Sequence, residues 1–111
     1  MKKLFSLFVV LFFFAVTGSS VMAQNVEVST GGPVTNYATL KLAFDAINAG
    51  THTGVILIEF ATGTTETAPA VLNSSGAGSA NYTSITIRPR VDGIVITSNY
   101  STSGRGLIEF N

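Results

Sequence analysis

The sequence contains no cysteine and no tryptophan, and it has a single histidine. Without cysteine the chain can form neither a disulfide framework nor a thiolate metal site, so its stability must come from packing, from a partner or from further chain. Because one histidine cannot hold a metal ion by itself, His52 is best interpreted as a residue of the glycine-flanked turn around it. The sequence therefore predicts no metal site and no cofactor site.

Charged side chains are also scarce, at 11% of the residues, and the formal net charge is zero. Lys2 and Lys3 belong to a leader described below, and the rest of the chain has four basic and six acidic side chains, a net charge of −2. No basic patch is present to bind nucleic acid or anionic lipid. Arg88 and Arg90 fit solvent-facing positions of a strand better than a polyanion site.

Motifs of hydrolytic chemistry are missing as well. There is no Gly-x-Ser-x-Gly elbow and no phosphate-binding loop. Asp92 is followed by Gly93 and fits a turn, and Glu59 and Glu109 could approach each other only across stacked turns of the chain. A carboxylate pair for glycoside hydrolysis is therefore not expected, and no catalytic residue is predicted.

The N-terminus has the three parts of a secretory signal peptide. Met1-Lys2-Lys3 is a positive n-region, and Leu4 to Val16 is an almost continuous apolar stretch. Val21-Met22-Ala23 places small residues at positions −3 and −1 of a cleavage site. Thirteen helical residues span only about 20 Å, too short for a hydrocarbon core of about 30 Å, which disfavours a membrane anchor. We expect cleavage between Ala23 and Gln24, and a protein that is secreted or on the cell surface, with no membrane segment after signal removal.

Residues 24–36 are polar and include Gly31-Gly32-Pro33, which predicts an extended leading segment with one turn. One amphipathic helix follows, with Thr39 as a possible N-cap and Gly50 placed to end it. Its apolar stripe falls at positions i, i+3, i+4 and i+7, namely Leu40, Ala43, Phe44 and Ile47. We expect this stripe to face an interior formed by isoleucines, namely Ile56, Ile58, Ile85, Ile87, Ile94 and Ile96.

Several short strands follow the helix. The run from Val55 to Phe60 is apolar and β-branched, which predicts a strand buried on both faces at its start. Residues 73–81 are rich in serine, glycine and alanine and predict a loop. Alternating segments begin at Ser84, Gly93 and Leu107, about ten residues apart and separated by turn-forming residues.

Strands at this spacing fit an antiparallel sandwich or a parallel β-solenoid, in which successive strands of one coil lie on different faces. No Asn-Gly dipeptide, a common signal of a two-residue hairpin, is present between residues 88 and 107. The helix precedes the strands, where a solenoid needs a cap over its first coil. These two observations favour the solenoid.

The residues from Tyr37 to Gly54, the segment Thr65-Glu66-Thr67 and the strand from Tyr82 to Pro89 resemble the start of large secreted right-handed parallel β-helix proteins. These proteins have the pectin-lyase-like fold and are surface proteins commonly exported through a type IX secretion route. The resemblance covers nearly all of the chain after the leader. It implies a mainly β fold in which residues 37–111 form an N-terminal capping helix and the first coil or coils of a β-helix.

The resemblance also implies that many further coils follow, so that this chain is expected to be a truncated product or a fragment. Its function is then that of a non-catalytic segment of a structural or adhesive surface protein, with extracellular polysaccharide or cell-surface components as partners. One alternative is a fragment of a pectin-lyase-like polysaccharide-degrading enzyme whose active site lies on missing coils. Another is a small free-standing exported sandwich. Expressed alone, the segment is expected to self-associate through an open β edge.

Overall fold

The computed structural model describes residues 25–101 and 104–111. The predicted signal peptide and its cleavage site, Ala23 and Gln24, lie outside these residues. The described residues form eight strands and one helix, in the order β1 (Val26–Ser29), β2 (Thr35–Tyr37), α1 (Leu40–Asn48), β3 (Gly54–Phe60), β4 (Thr64–Glu66), β5 (Ala70–Leu72), β6 (Tyr82–Pro89), β7 (Ile96–Ser98) and β8 (Ile108–Phe110). The prediction of a mainly β fold with a single helix is confirmed for this part of the chain.

The strands form three small sheets. One has four strands in the order β2-β1-β3-β6, and the other two are the pairs β4-β7 and β5-β8. Strand β3 pairs in parallel with β6, β4 with β7, and β5 with β8, so each strand pairs with the strand three elements later. Strand β1 is antiparallel to both β2 and β3.

The leading segment is more structured than the sequence predicted. Residues 26–37 form a β-hairpin. Strand β1 pairs with the edge of β3 opposite β6, from Val26 opposite Phe60 to Ser29 opposite Leu57. The side chains of Val26 and Val28 are fully buried, because their alternation directs both of them to the same face of the sheet. The hairpin therefore covers an edge of β3 that would otherwise present unpaired backbone groups.

Strand β3 is buried on one face only, so the prediction of burial on both faces was wrong. Ile56, Ile58 and Phe60 are buried, whereas Val55 is 65% exposed and Leu57 is partly exposed. The physical reason is that no helix or second sheet of the described residues covers the outer face of β3. An uninterrupted apolar run therefore does not establish that both faces of a strand are covered.

Helix α1 begins and ends where the sequence indicates. Thr39 is the N-cap, and its hydroxyl accepts a hydrogen bond from the Leu42 N–H at 3.3 Å. Gly50 follows the C-cap with φ +79°, and the Thr51 N–H reaches the Ala46 carbonyl at 2.9 Å, which closes the helix with a Schellman motif. A side chain at Gly50 would be strained, because a Cβ there would lie 2.8 Å from the Ser79 carbonyl oxygen.

The core lies between α1 and the inner faces of the first strands. The helix stripe is fully buried, as predicted, and packs with residues of β1, β3 and β5. Ile85, Ile94 and Ile96 are only partly buried against this core, and Ile87 is 37% exposed, so its predicted interior position was wrong. The buried apolar residues of this cluster are Val26, Val28, Leu40, Ala43, Phe44, Ile47, Ile56, Ile58, Phe60, Ala70 and Leu72.

Candidate functional site

The N-terminus of α1 is held by a buried carboxylate from β4. Glu66 is fully buried, and its Oε1 accepts a hydrogen bond from the Leu40 N–H at 2.8 Å, while its Oε2 accepts one from the Lys41 N–H at 3.0 Å. The Thr64 hydroxyl donates to Oε1 at 2.9 Å. Both oxygens of this buried acid are therefore used in fixing the helix to the sheet.

This arrangement suits the electrostatics of the helix. The first N–H groups of a helix have no partner within it, and the aligned peptide dipoles place partial positive charge at that end. The first turn of α1 contains no acidic residue, so Glu66 provides a negative charge that the helix itself lacks. We conclude that Glu66 is a structural anchor, since its acceptor positions already have protein partners.

A second side chain closes the edge of β5. The Asn48 side-chain amide donates to the Val71 carbonyl at 2.8 Å, and its Oδ1 accepts from the Asn73 N–H at 2.9 Å. One amide thus satisfies a donor and an acceptor on the strand edge in the way a neighbouring strand does. We call the β1-β2 hairpin and α1, whose last residue is Asn48, the closed end of the fold.

Tyr37 and His52 form an aromatic pair that also shares a hydrogen bond. The Tyr37 hydroxyl lies 2.7 Å from His52 Nε2, and the two rings meet edge to face with centroids 5.8 Å apart. His52 lies in the α1-β3 connection, as predicted, but its ring is buried. Burial lowers the pKa of His52 and raises the pKa of Tyr37, because it disfavours the charged form of each group.

The outer face of the four-stranded sheet carries a network of ion pairs. Arg88 of β6 binds Glu59 of β3 at 2.8 Å, and Arg90 binds Glu27 of β1 and lies 3.9 Å from Glu59. Both arginines are exposed on the strand face, as expected from the sequence. Each of the two arginines thus has an acidic partner on the same sheet.

The acidic residues considered for catalysis are not brought together. Glu59 lies in the four-stranded sheet, whereas Glu109 lies in the β5-β8 sheet, where hydrogen bonds from Arg105 lower its pKa. Asp92 lies in an exposed turn, as predicted. Within residues 25–101 and 104–111, no group of three or more histidine or acidic side chains could hold a metal ion.

The outer face of the β4-β7 sheet is lined by hydroxyl groups. Thr65 lies opposite Thr97 in the parallel register, and their hydroxyl oxygens are 3.1 Å apart. Both residues are exposed, and the Thr97 hydroxyl also lies 3.2 Å from the Thr64 carbonyl oxygen. At these two positions the face therefore carries neutral hydroxyl groups.

Sequence reasoning missed the roles of Glu66 and Asn48. A capping box would place an acid at the third helical position, where this chain has Leu42. The absence of an acid from the first turn was the available signal that an acceptor must come from elsewhere. It could not identify Glu66, because that residue lies 26 positions beyond Leu40 and reaches it only through the tertiary fold.

No helix among the described residues is long and apolar enough to cross a membrane. Comparison of the chain with protein-family models found no matching family, and comparisons with curated proteins and with solved structures found no match either.

Proposed function

We propose that residues 37–111 form the N-terminal cap and first two coils of a right-handed parallel β-helix in an exported surface protein. In this proposal β3, β4 and β5 are the three faces of the first coil, and β6, β7 and β8 stack on them as the second coil. The role is structural or adhesive, and the chain carries no catalytic centre of its own. Extracellular polysaccharide or another cell-surface component is the proposed partner.

The observation that carries the proposal is the order of the parallel pairs. Each of three consecutive strands pairs in parallel with the strand three elements later, without a helix between the paired strands. A sandwich of the same strands would be built from antiparallel pairs and Greek-key connections. A chain that winds through three faces and returns to the first produces the pairing found here.

The difference between the two ends of the stack supports an N-terminal position. At the closed end, the hairpin, α1 and Asn48 occupy the edges of β3 and β5. Opposite lie the outer edges of β6, β7 and β8, which pair with no strand among the described residues and which we call the open end. In repeat folds the terminal units carry the caps, and an uncapped end needs a further unit to cover it.

The outer faces favour binding over catalysis. The charged residues of the four-stranded sheet form ion pairs with one another, and the β4-β7 face presents threonine hydroxyls. Polar faces of this kind offer many weak hydrogen bonds to a hydrated surface, and repetition along further coils would add them together. Neither nucleic acid nor a nucleotide is expected as a partner, because no unneutralised basic patch accompanies these faces.

Export is the first part of the proposal to test. Intact-mass measurement of the protein recovered from outside the cytoplasm should give a chain that starts at Gln24. A species that retains Met1 in the membrane fraction would contradict the leader prediction.

Binding is tested with the full chain in a pull-down assay on pectin and alginate immobilised on beads. We expect retention without release of unsaturated oligosaccharides, and lower retention for the double variant Thr65→Ala/Thr97→Ala. Val55→Ala, which changes an exposed residue of a different sheet, is the matched control. Release of cleavage products would instead favour a lyase, and equal retention of all variants would exclude the threonine face as the binding surface.

A further inference from the structure

The turn between β6 and β7 carries the dipeptide Asp92-Gly93, for which the proposed function has no use. We propose that this dipeptide is a modification site, at which Asp92 converts spontaneously to isoaspartate through a succinimide formed with the Gly93 nitrogen. The only reactant besides the chain is water. This modification goes beyond the proposed function, because it does not depend on what the outer faces bind.

The Asp92 carboxylate is not held in place by the fold. Both Asp92 and Gly93 are exposed. Each of the other five acidic side chains has a partner in an ion pair or a hydrogen bond. Asp92 has no such partner among residues 25–101 and 104–111. Its side chain can therefore turn toward the backbone of the next residue.

The nitrogen that attacks the side chain is also accessible. The Gly93 N–H donates no hydrogen bond to any residue in the described part of the chain. Gly93 has φ +82°, and a Cβ placed on it would have no atom within 4 Å, so the space beside the nitrogen is open. Glycine has no side chain to hinder the approach, and its backbone rotates more freely than that of any other residue.

The reaction balances with water alone. The Gly93 nitrogen attacks Cγ of the protonated Asp92 carboxyl group, so that a carbon–nitrogen bond forms and the bond from Cγ to the hydroxyl oxygen breaks. That hydroxyl leaves as water with the proton of the nitrogen. Water then adds to the backbone carbonyl carbon of Asp92 and breaks its bond to the nitrogen. The chain is now joined through the side chain, and its mass is unchanged.

The other aspartate of the sequence, Asp45, lacks these features. It lies in α1, forms an ion pair with Lys41 at 2.5 Å and precedes Ala46. The Ala46 N–H belongs to the hydrogen-bonded ladder of the helix, which also fixes the backbone dihedral angles of Asp45. We expect no isomerisation at this position, so the chain contains its own control.

Isomerisation should act on the pairing of β7 with β4. Isoaspartate inserts one extra carbon atom into the main chain of the turn, three residues before Val95. The Val95 carbonyl accepts the Thr64 N–H at 3.3 Å, and its oxygen lies 2.7 Å from the position that a Cβ on Gly63 would occupy. Because Gly63 and Val95 pack so closely, a longer turn should displace Val95 and weaken the hydrogen bond from Thr64.

The test follows both aspartates in the purified full chain, kept for weeks at neutral pH either folded or unfolded in guanidinium chloride. Each sample is digested with an endoproteinase that cuts before aspartate but not before isoaspartate, and the fragments are measured by mass spectrometry. In the folded sample we expect progressive loss of cutting at Asp92, at a rate comparable with that in guanidinium chloride, and complete cutting at Asp45. Full retention of cutting at Asp92 in the folded sample, with loss in the unfolded one, would overturn the proposal.

Asp92→Glu is the matched control for the effect on the strands. It keeps the carboxylate, but its side chain would have to close a larger ring, which forms much more slowly. Hydrogen exchange at the Thr64 amide should be faster in aged than in fresh wild type and unchanged by ageing in the variant. Equal exchange in fresh wild type and in wild type with verified isoaspartate would overturn the predicted weakening of the β4-β7 pair.

Discussion

Strands β3 to β5 and strands β6 to β8 carry similar alternating apolar residues, but the two sets are buried very differently. Ile58 is fully buried and its register partner Ile87 is 37% exposed, and Leu72 is 4% exposed while its partner Phe110 is 69% exposed. The first set has neighbours on both sides, namely the closed end and the second set. The burial of an apolar side chain here therefore depends on whether its strand has a neighbouring strand or helix on each side. The alternating pattern of the strand itself does not predict that burial.

The largest expected difference between the two ends involves two phenylalanines in contact. Phe44 of α1 is fully buried, and its ring lies 6.3 Å from that of the exposed Phe110. Phe44→Ala should lower the free energy of unfolding by about 3 kcal/mol, because it removes a buried side chain and leaves a cavity. Phe110→Ala should cost about 1 kcal/mol or less. Urea unfolding of the full chain measures both values.

Lys41→Ala is the control for the helix itself. Lys41 forms an exposed ion pair with Asp45 at 2.5 Å, and such pairs contribute about 0.5 kcal/mol. If Phe44→Ala and Lys41→Ala have equal, small effects, then α1 is not a cap over the core.

The next largest effect is expected at Glu66. Glu66→Ala removes the acceptor of three hydrogen bonds and leaves the Leu40 N–H buried without a partner. We expect a loss of about 3 kcal/mol, from the unpaired donors and the lost interaction with the helix dipole. Glu66→Gln should lose less, since the amide keeps one oxygen acceptor. Glu109→Ala, which changes an ion-paired acid at the open end, should have the smallest effect of the three.

Asn48 tests the closure of the β5 edge. Asn48→Ala removes the bonds to Val71 and Asn73 and should cost about 2 kcal/mol, since both backbone groups lose a partner. It should also raise the amide exchange rate at Asn73, which hydrogen exchange measures directly. Asn99→Ala, at an exposed position, is the matched control and should leave that rate unchanged.

The smallest predicted effect is a pH dependence at the closed end. Burial lowers the pKa of His52 below 6.5, so the unfolded chain binds a proton before the folded chain does as the pH falls. Stability should therefore be full above pH 6.5 and decrease on acidification below it. His52→Gln removes the one histidine of the sequence. This variant should show a smaller slope of melting temperature against pH between pH 7.5 and pH 5.5. An unchanged slope in that variant would exclude His52 as the cause.

Local patterns predicted the elements of this fold better than they predicted its contacts. The stripe of α1 and the capping roles of Thr39 and Gly50 follow from residue spacing, and the structure confirms them. The prediction that β3 is buried on both faces was wrong, because the burial of Val55 and Leu57 depends on whether another layer of structure covers them. That information is absent from a short apolar run.

The candidate site was predicted least well, because its contacts are formed between residues far apart in sequence. Glu66 lies in a three-residue strand whose sequence carries no recognisable motif, and only the tertiary fold brings it to the first N–H groups of α1. The β1-β2 hairpin was missed for a related reason. The connection from Ser29 to Thr35 is longer than the two-residue turn of a tight hairpin, and the pairing of β1 with β3 spans a helix.

The central claim is that the chain stacks three strands in parallel on three earlier strands. It is tested most directly by nuclear Overhauser contacts between strands in the full, isotope-labelled protein. The account predicts parallel-type contacts at all three faces, linking Ile56 with Ile85, Thr65 with Thr97, and Val71 with Glu109. Antiparallel contacts between consecutive strands from β3 to β8 would contradict it and favour the small sandwich.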